Sequence, residues 1–166
     1  MAFGFYFDMT RCIGCRACQV ACKDKNRLEV GTLYRNVKSY TVGTFPNVKS
    51  YSYSGSCNHC ENPICLANCP TGAIGKAEDG TVVQDQNKCI GCRMCVMSCP
   101  YGHPQYFPEK GVSGKCDGCY GLRADGGQPA CVAGCPNRAG PHEADRRGTR
   151  GGQDPYRCGF RVVDQA

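Results

Sequence analysis

Sixteen of the seventeen cysteines in this 166-residue chain fall into four quartets, and no other feature narrows its fold so sharply. The quartets are Cys12, Cys15, Cys18, Cys22; Cys57, Cys60, Cys65, Cys69; Cys89, Cys92, Cys95, Cys99; and Cys116, Cys119, Cys131, Cys135, leaving only Cys158. The first and third have C-x2-C-x2-C-x3-C spacing, the second widens the middle gap to four residues, and the fourth widens it to eleven. Three end in Cys-Pro, at Pro70, Pro100 and Pro136. Leu, Ile, Val and Phe together number only 26, too few for an ordinary core at this length. Something attached to the cysteines must take the place of hydrophobic burial.

Three chemistries compete for the thiols. Disulfides suit short cysteine-rich chains, but cysteines three apart on a tight turn seldom reach bridge geometry, and the Met-Ala-Phe-Gly-Phe-Tyr-Phe-Asp start lacks the pattern of a secretory signal. Zinc asks for two paired knuckles; Cys116, Cys119, Cys131 and Cys135 meet that demand, whereas the tripled spacing of the other quartets leaves a surplus cysteine. Iron–sulfur cubanes account for every position. A C-x2-C-x2-C loop wraps three corners of one cube, and the fourth cysteine, just before Pro, reaches the second cube of a pair.

That exchange fixes the expected partners. Quartets two and three are adjacent in sequence, giving one cluster on Cys57, Cys60, Cys65 and Cys99 and another on Cys69, Cys89, Cys92 and Cys95. Quartets one and four then pair, giving one cluster on Cys12, Cys15, Cys18 and Cys135 and another on Cys22, Cys116, Cys119 and Cys131. Four thiolates at each site favour [4Fe–4S] throughout. The expected fold is α+β: two interleaved ferredoxin-like halves, residues 1–32 plus 110–139 and residues 55–104, with a β-hairpin insertion over about 33–54. Residues 1–139 are expected to form the four-cluster domain, and 140–166, rich in Gly and Arg, a disordered or loosely attached tail.

Local patterns fill in the elements. Phe3 to Phe7 reads as a strand and Arg16 to Asn26 as a helix carrying Cys22. Residues 73–77 and 81–85 flank the turn Glu78-Asp79-Gly80, and short helices start near Pro63 and Arg93, each expected to deliver the fourth cysteine of its quartet. After Cys135, Gly140-Pro141 prevents the strand that follows Cys69 from recurring.

The runs Cys57-Asn-His-Cys-Glu-Asn-Pro-Ile-Cys, Cys89-Ile-Gly-Cys-Arg-Met-Cys with Cys99-Pro-Tyr-Gly, and Lys115-Cys-Asp-Gly-Cys-Tyr with Pro129-Ala-Cys-Val-Ala-Gly-Cys-Pro closely resemble the iron–sulfur subunit of the dimethyl sulfoxide reductase family. The likeness covers residues 3 to about 139. It implies four [4Fe–4S] clusters relaying electrons from a quinol-oxidising membrane anchor to a molybdopterin catalytic subunit in anaerobic respiration. It also implies an order: the Cys12 cluster nearest molybdenum, then those of Cys116, Cys57 and Cys89. Relatives of the nitrate reductase type carry Trp where this chain keeps Cys92, which favours [4Fe–4S] there. Past Ala139 the family pattern stops.

The remaining residues carry blander readings. Arg16, Arg93, Lys88 and Lys115 adjoin ligands, and nearby positive charge raises a cluster's potential, though a solvated cation is the commoner role. His59 and His103 are read as non-ligands because every quartet is complete, Cys158 as a free thiol, and Tyr6, Tyr101 and Tyr120 as shields against water. The formal charge of +6 is scattered singly, which excludes a nucleic-acid footprint. Four oxidised cubanes with their thiolates, at about −2 each, would leave the loaded chain near −2. No apolar run approaches the roughly 20 residues of a bilayer span, so association with a membrane on either face would run through partners. No nucleotide loop or nucleophile constellation appears, and catalysis is not expected of this chain by itself. A free-standing polyferredoxin carrier and a zinc-stapled interaction module are the competing readings.

Overall fold

The computed structural model of the chain describes residues 2–7, 9–137 and 159–163. Mixed helix and strand are present, as expected, in short pieces throughout. Strand β1 (Ala2–Tyr6) leads into the first cysteine loop, and α1 (Ala17–Lys25) follows it. The long hairpin β2 (Arg35–Val42) and β3 (Lys49–Ser56) pairs antiparallel along its full length, from Arg35 opposite Ser56 to Val42 opposite Lys49. Helix α2 (Ile64–Ala67), the hairpin β4 (Ile74–Lys76) and β5 (Val82–Gln84), and α3 (Met94–Ser98) come next. The hairpin β6 (Gln105–Phe107) and β7 (Val112–Gly114) and the helices α4 (Tyr120–Ala124) and α5 (Ala130–Ala133) complete the central body.

The helices are too short to be stable alone and must be held by what they pack on. Helix α1 lies against α5 and α2 against α3, so the first and fourth quartets share one neighbourhood and the second and third share another. Two buried clusters of side chains result. One joins Cys22, Cys57, Cys116 and Cys131 with Tyr34 and Phe107; the other joins Cys65 and Cys95 with Ile74 and Val82. Sulfur thus supplies over half of the buried members of the first cluster and half of the second. That is how so little aliphatic mass suffices.

Three differences from the sequence reading have local causes. Helices α2 and α3 carry the third cysteines, Cys65 and Cys95, and release the fourth just past their ends, because one turn spans only the first four residues after Pro63 and five after Arg93. The β6–β7 hairpin has no counterpart among the expected elements: its strands are three residues each, too short for an alternating pattern to register. Within the supposed tail, Gly159–Val163 form a strand, β8, antiparallel to β1 with Gly4 opposite Arg161. Its Phe160-Arg-Val-Val163 run has the β-branched character of a strand. Cys158 and residues 138–158 lie outside the described residues. Among the described residues, no helix is long and apolar enough to cross a membrane.

Candidate metal centres

The four cysteine loops repeat one backbone device. Immediately before the second cysteine of each quartet stands a residue in the left-handed region: Gly14 (φ 70°), His59 (φ 47°), Gly91 (φ 70°) and Gly118 (φ 62°). The turn folds the loop back so that consecutive N–H groups face inward, the nest geometry that suits an anionic group. Arg16 and Arg93 occupy matching left-handed positions at the N-caps of α1 and α3, both at φ 62°. The first and third loops are therefore alike in backbone as well as in spacing.

Among the described residues, no disulfide joins any of the sixteen quartet cysteines. Among the described residues, no three His, Cys, Asp or Glu side chains stand close enough to hold a single metal ion. A tetrahedral zinc site would need sulfurs within about 3.8 Å of one another, given 2.3 Å bonds. Cys12, Cys15, Cys18 and Cys135 line one pocket together with Phe5, Ile13, Arg35 and Cys131. Cys22, Cys116, Cys119 and Cys131 are all buried. Burial pushes the Cys22 thiol up to about 12, with further upward pressure from Cys131 and Cys119. Burial also raises the Cys116 and Cys131 thiols, the first further pressed upward by Cys57 and Cys22, the second by Cys119 and Cys18. In the second quartet, burial raises Cys57 and Cys65, and both feel Cys99.

Two thiols behave differently. Against the upward push of partial burial, the backbone N–H groups of Ile74, Ala73 and Thr71 and the Thr71 hydroxyl hold Cys69 below the usual thiol range. Cys89 is likewise held low, because the Ser113 hydroxyl and N–H lie 3.5 Å from its sulfur and outweigh desolvation. Ser113 also stands 3.2 Å from the Cys95 sulfur.

The four candidate tuning cations separate into two kinds. Arg16, Arg93 and Lys88 are exposed; Arg93 stacks 3.8 Å from the Tyr106 ring centre and Lys88 lies 3.9 Å from Asp85. Lys115 is only 5% exposed and donates to the carbonyls of Val82 at 2.5 Å and Cys116 at 2.7 Å. His59 is buried, and its Nδ1 accepts the Val82 N–H at 3.1 Å, leaving Nε2 to carry the proton. Desolvation, together with Lys115 and Arg123, pushes its pKa down to about 3, so the ring is neutral. Tyr101 and Tyr120 are exposed, the former 59%, whereas Tyr34 and Phe107 are buried among the sulfurs and Phe5 packs against them. His103 is half-buried with its ring 6.1 Å from that of Tyr101.

Sequence reasoning missed Arg35. It is buried on β2, its Nη1 donating to Ser54 Oγ at 3.0 Å and its Nη2 to Ser56 Oγ at 2.9 Å. Its signal was parity: Arg35 alternates with Val37, the other buried residue of β2. Among the described residues, the buried Arg35 Nε and His59 Nε2 atoms have no hydrogen-bond partner. Buried donors, buried cations and thiols facing one another are what an inorganic cluster with a net negative charge requires, and the residues present fit that group.

Family models agree with this chemistry. A 4Fe-4S dicluster domain matches residues 48–141 and a 4Fe-4S binding domain matches residues 9–31. The chain is 48% identical over 156 residues to a probable anaerobic dimethyl sulfoxide reductase chain of Escherichia coli, covering 87% of this chain and 76% of that one. A second anaerobic dimethyl sulfoxide reductase chain from the same organism is also 48% identical, over 82% and 71% of the two. A thiosulfate reductase electron transfer subunit of Salmonella typhi is 43% identical, over 80% and 70%.

Proposed function

Because the chain belongs to the iron–sulfur electron-transfer subunits of the dimethyl sulfoxide reductase family and carries 4Fe–4S clusters, we propose that it holds four of them in a row. The row relays single electrons from a quinol-oxidising membrane anchor to a molybdopterin catalytic subunit. Cys12, Cys15, Cys18 and Cys135 hold the first cluster, Cys22, Cys116, Cys119 and Cys131 the second, Cys57, Cys60, Cys65 and Cys99 the third, and Cys69, Cys89, Cys92 and Cys95 the fourth. Iron–sulfur clusters supply one-electron redox chemistry; the protein supplies spacing, exclusion of water and the surrounding charges.

One observation carries this reading, the gradient of thiol burial along the row. The second set is wholly buried, while the two exposed quartet cysteines, Cys15 and Cys92, belong to the first and fourth sets. A relay needs closed middle stations and open ends. The neighbours support the same order: Cys18 acts on Cys131 and Cys57 acts on Cys116, linking first to second and second to third. The packing of α1 on α5 and of α2 on α3 supports the interleaved halves, with the β2–β3 hairpin as the insertion and residues 1–139 as the cluster domain. Membrane association, on this reading, is through the anchor. The relatives named for dimethyl sulfoxide and for thiosulfate are similar to this chain, which supports a substrate pocket on the catalytic partner.

Cys92→Ser tests the assignment. One of four cluster signals in electron paramagnetic resonance should change, with loss of quinol-linked turnover in the assembled complex; four unchanged signals would refute the ligand set.

A further inference from the structure

Among the described residues, no carboxylate pairs with the buried guanidinium of Arg35. Its relative exposure is 6%, and its neighbours are hydroxyls and a carbonyl: Ser54 Oγ at 3.0 Å, Ser56 Oγ at 2.9 Å and Ser54 O at 3.3 Å. The Phe5 ring lies 4.7 Å below its central carbon. None of these compensates a full positive charge, and among the described residues no ion pair reaches it. A buried cation without a counter-charge is one of the costliest arrangements a fold can contain. The groups whose charge acts on it are thiols, Cys131, Cys116 and Cys18, with Cys131 also its hydrogen-bond acceptor, and Cys18 and Cys131 line a pocket together with it. Cys18 belongs to one ligand set and Cys116 and Cys131 to the next. Arg35 also lines the pocket that gathers Cys12, Cys15, Cys18 and Cys135, and among the described residues its Nε has no hydrogen-bond partner.

We infer that Arg35 is the shared counter-ion of two adjacent clusters, those on Cys12, Cys15, Cys18, Cys135 and on Cys22, Cys116, Cys119, Cys131, and that its charge raises the reduction potential of both. This rests on the four-cluster reading. The added electron makes each cluster more negative, so a fixed cation stabilises the reduced form over the oxidised one. A cation placed between two stations favours reduction at either, and so keeps the step between them close to level. Ser54 and Ser56 hold the guanidinium to the strand, and the hairpin β2–β3 thereby sets the charge between the two sites. Lys115 faces Cys57, Cys65 and Cys116 instead, so the two buried cations address different pairs of stations.

The test compares Arg35→Gln and Arg35→Lys with the unaltered chain in its complex, by redox titration followed with electron paramagnetic resonance. Iron content and the number of reduction waves in the unaltered chain test the four-cluster reading itself, separately from Arg35. For Arg35→Gln, two of the four waves should move to lower potential by about tenfold in the reduced-to-oxidised ratio, about 59 mV for a one-electron couple. The other two waves should stay, and Arg35→Lys should keep all four close to their original values. Unmoved waves in Arg35→Gln overturn the proposal, as do a shift confined to one wave, a shift spread over all four, or equal shifts in both variants. If Arg35→Gln loses iron from two sites while Arg35→Lys retains it, the requirement for charge stands. Equal loss from both variants assigns Arg35 a role of shape and overturns the proposal.

Discussion

Gly91 offers a way to separate backbone strain from steric collision in a cluster loop. It sits between Cys89 and Cys92 at φ 70°, and a methyl group there would lie 2.0 Å from the carbonyl oxygen of Gly111 and 3.0 Å from its carbon. Gly102 has nearly the same conformation, φ 64°, yet its added carbon would meet nothing within 4 Å. Gly102→Ala therefore isolates the left-handed cost of an L residue, about 1–2 kcal/mol. Gly91→Ala carries that cost plus a contact more than 1 Å too close to backbone. Relief requires Gly111 to move, and Gly111 closes the turn of β6–β7 through its N–H bond to Phe107 O at 2.9 Å. That hairpin holds Ser113 against Cys89 and Cys95, so the strain reaches the sulfurs. Overpacking adds about 1–3 kcal/mol, making the total about 2–5 kcal/mol and the difference between the variants about 2 kcal/mol. At about 1.4 kcal/mol per factor of ten, visible absorbance should bleach about 30-fold faster in denaturant for Gly91→Ala than for Gly102→Ala. The iron lost first from Gly91→Ala should be one cluster's share. Equal bleaching rates in the two variants would refute the collision argument.

Other consequences follow from the same contacts. Ser113→Ala removes hydroxyl contacts at 3.2 and 3.5 Å from Cys95 and Cys89, and it should lower the potential of one cluster in a redox titration while leaving iron content unchanged. Lys115→Met removes a buried cation near Cys57, Cys65 and Cys116; two waves should fall, and they should not be the same two that Arg35→Gln moves. Asp79→Asn breaks an ion pair in which Arg123 Nη1 lies 2.6 Å from Asp79 Oδ2, while Arg123 also donates to Gly118 O at 2.9 Å. That pair ties the β4–β5 turn to the Cys116 loop. About 2 kcal/mol should be lost, seen as a fall of roughly 4–8 °C in the unfolding midpoint at pH 7. Burial pushes Asp79 up, but the Thr81 N–H and the Arg123 guanidinium push it further down, below the usual carboxylate range. Its contribution is present above about pH 4 and fades as pH falls through the folded value, so the two proteins should converge in acid.

Spacing carried most of what could be read in advance. The helix after Arg16, the 33–54 hairpin and the turn at residues 78–80 are local patterns, and each appears within two residues of its expected place. Cysteine spacing likewise brought out the quartets, because three thiols on one loop leave few chemistries open. What stayed hidden depends on contacts between distant segments. Lys115 looked like Arg16, Arg93 and Lys88, another cation beside a ligand, and only the approach of β5 and the Cys57 loop buries it. Arg35 carried no mark of its own within the 33–54 hairpin, and it is Ser54 and Ser56 on the facing strand that hold it. The pairing of residues 159–163 with β1 joins the two ends of the chain, a distance over which no local pattern speaks.

Iron and acid-labile sulfide per chain, measured on protein purified under anaerobic conditions, bear most directly on the four-cluster relay. About sixteen of each, with visible absorption that dithionite bleaches, are expected if every quartet cysteine is a cubane ligand. A content of about one zinc for each set of four cysteines, with no visible absorption, would contradict it.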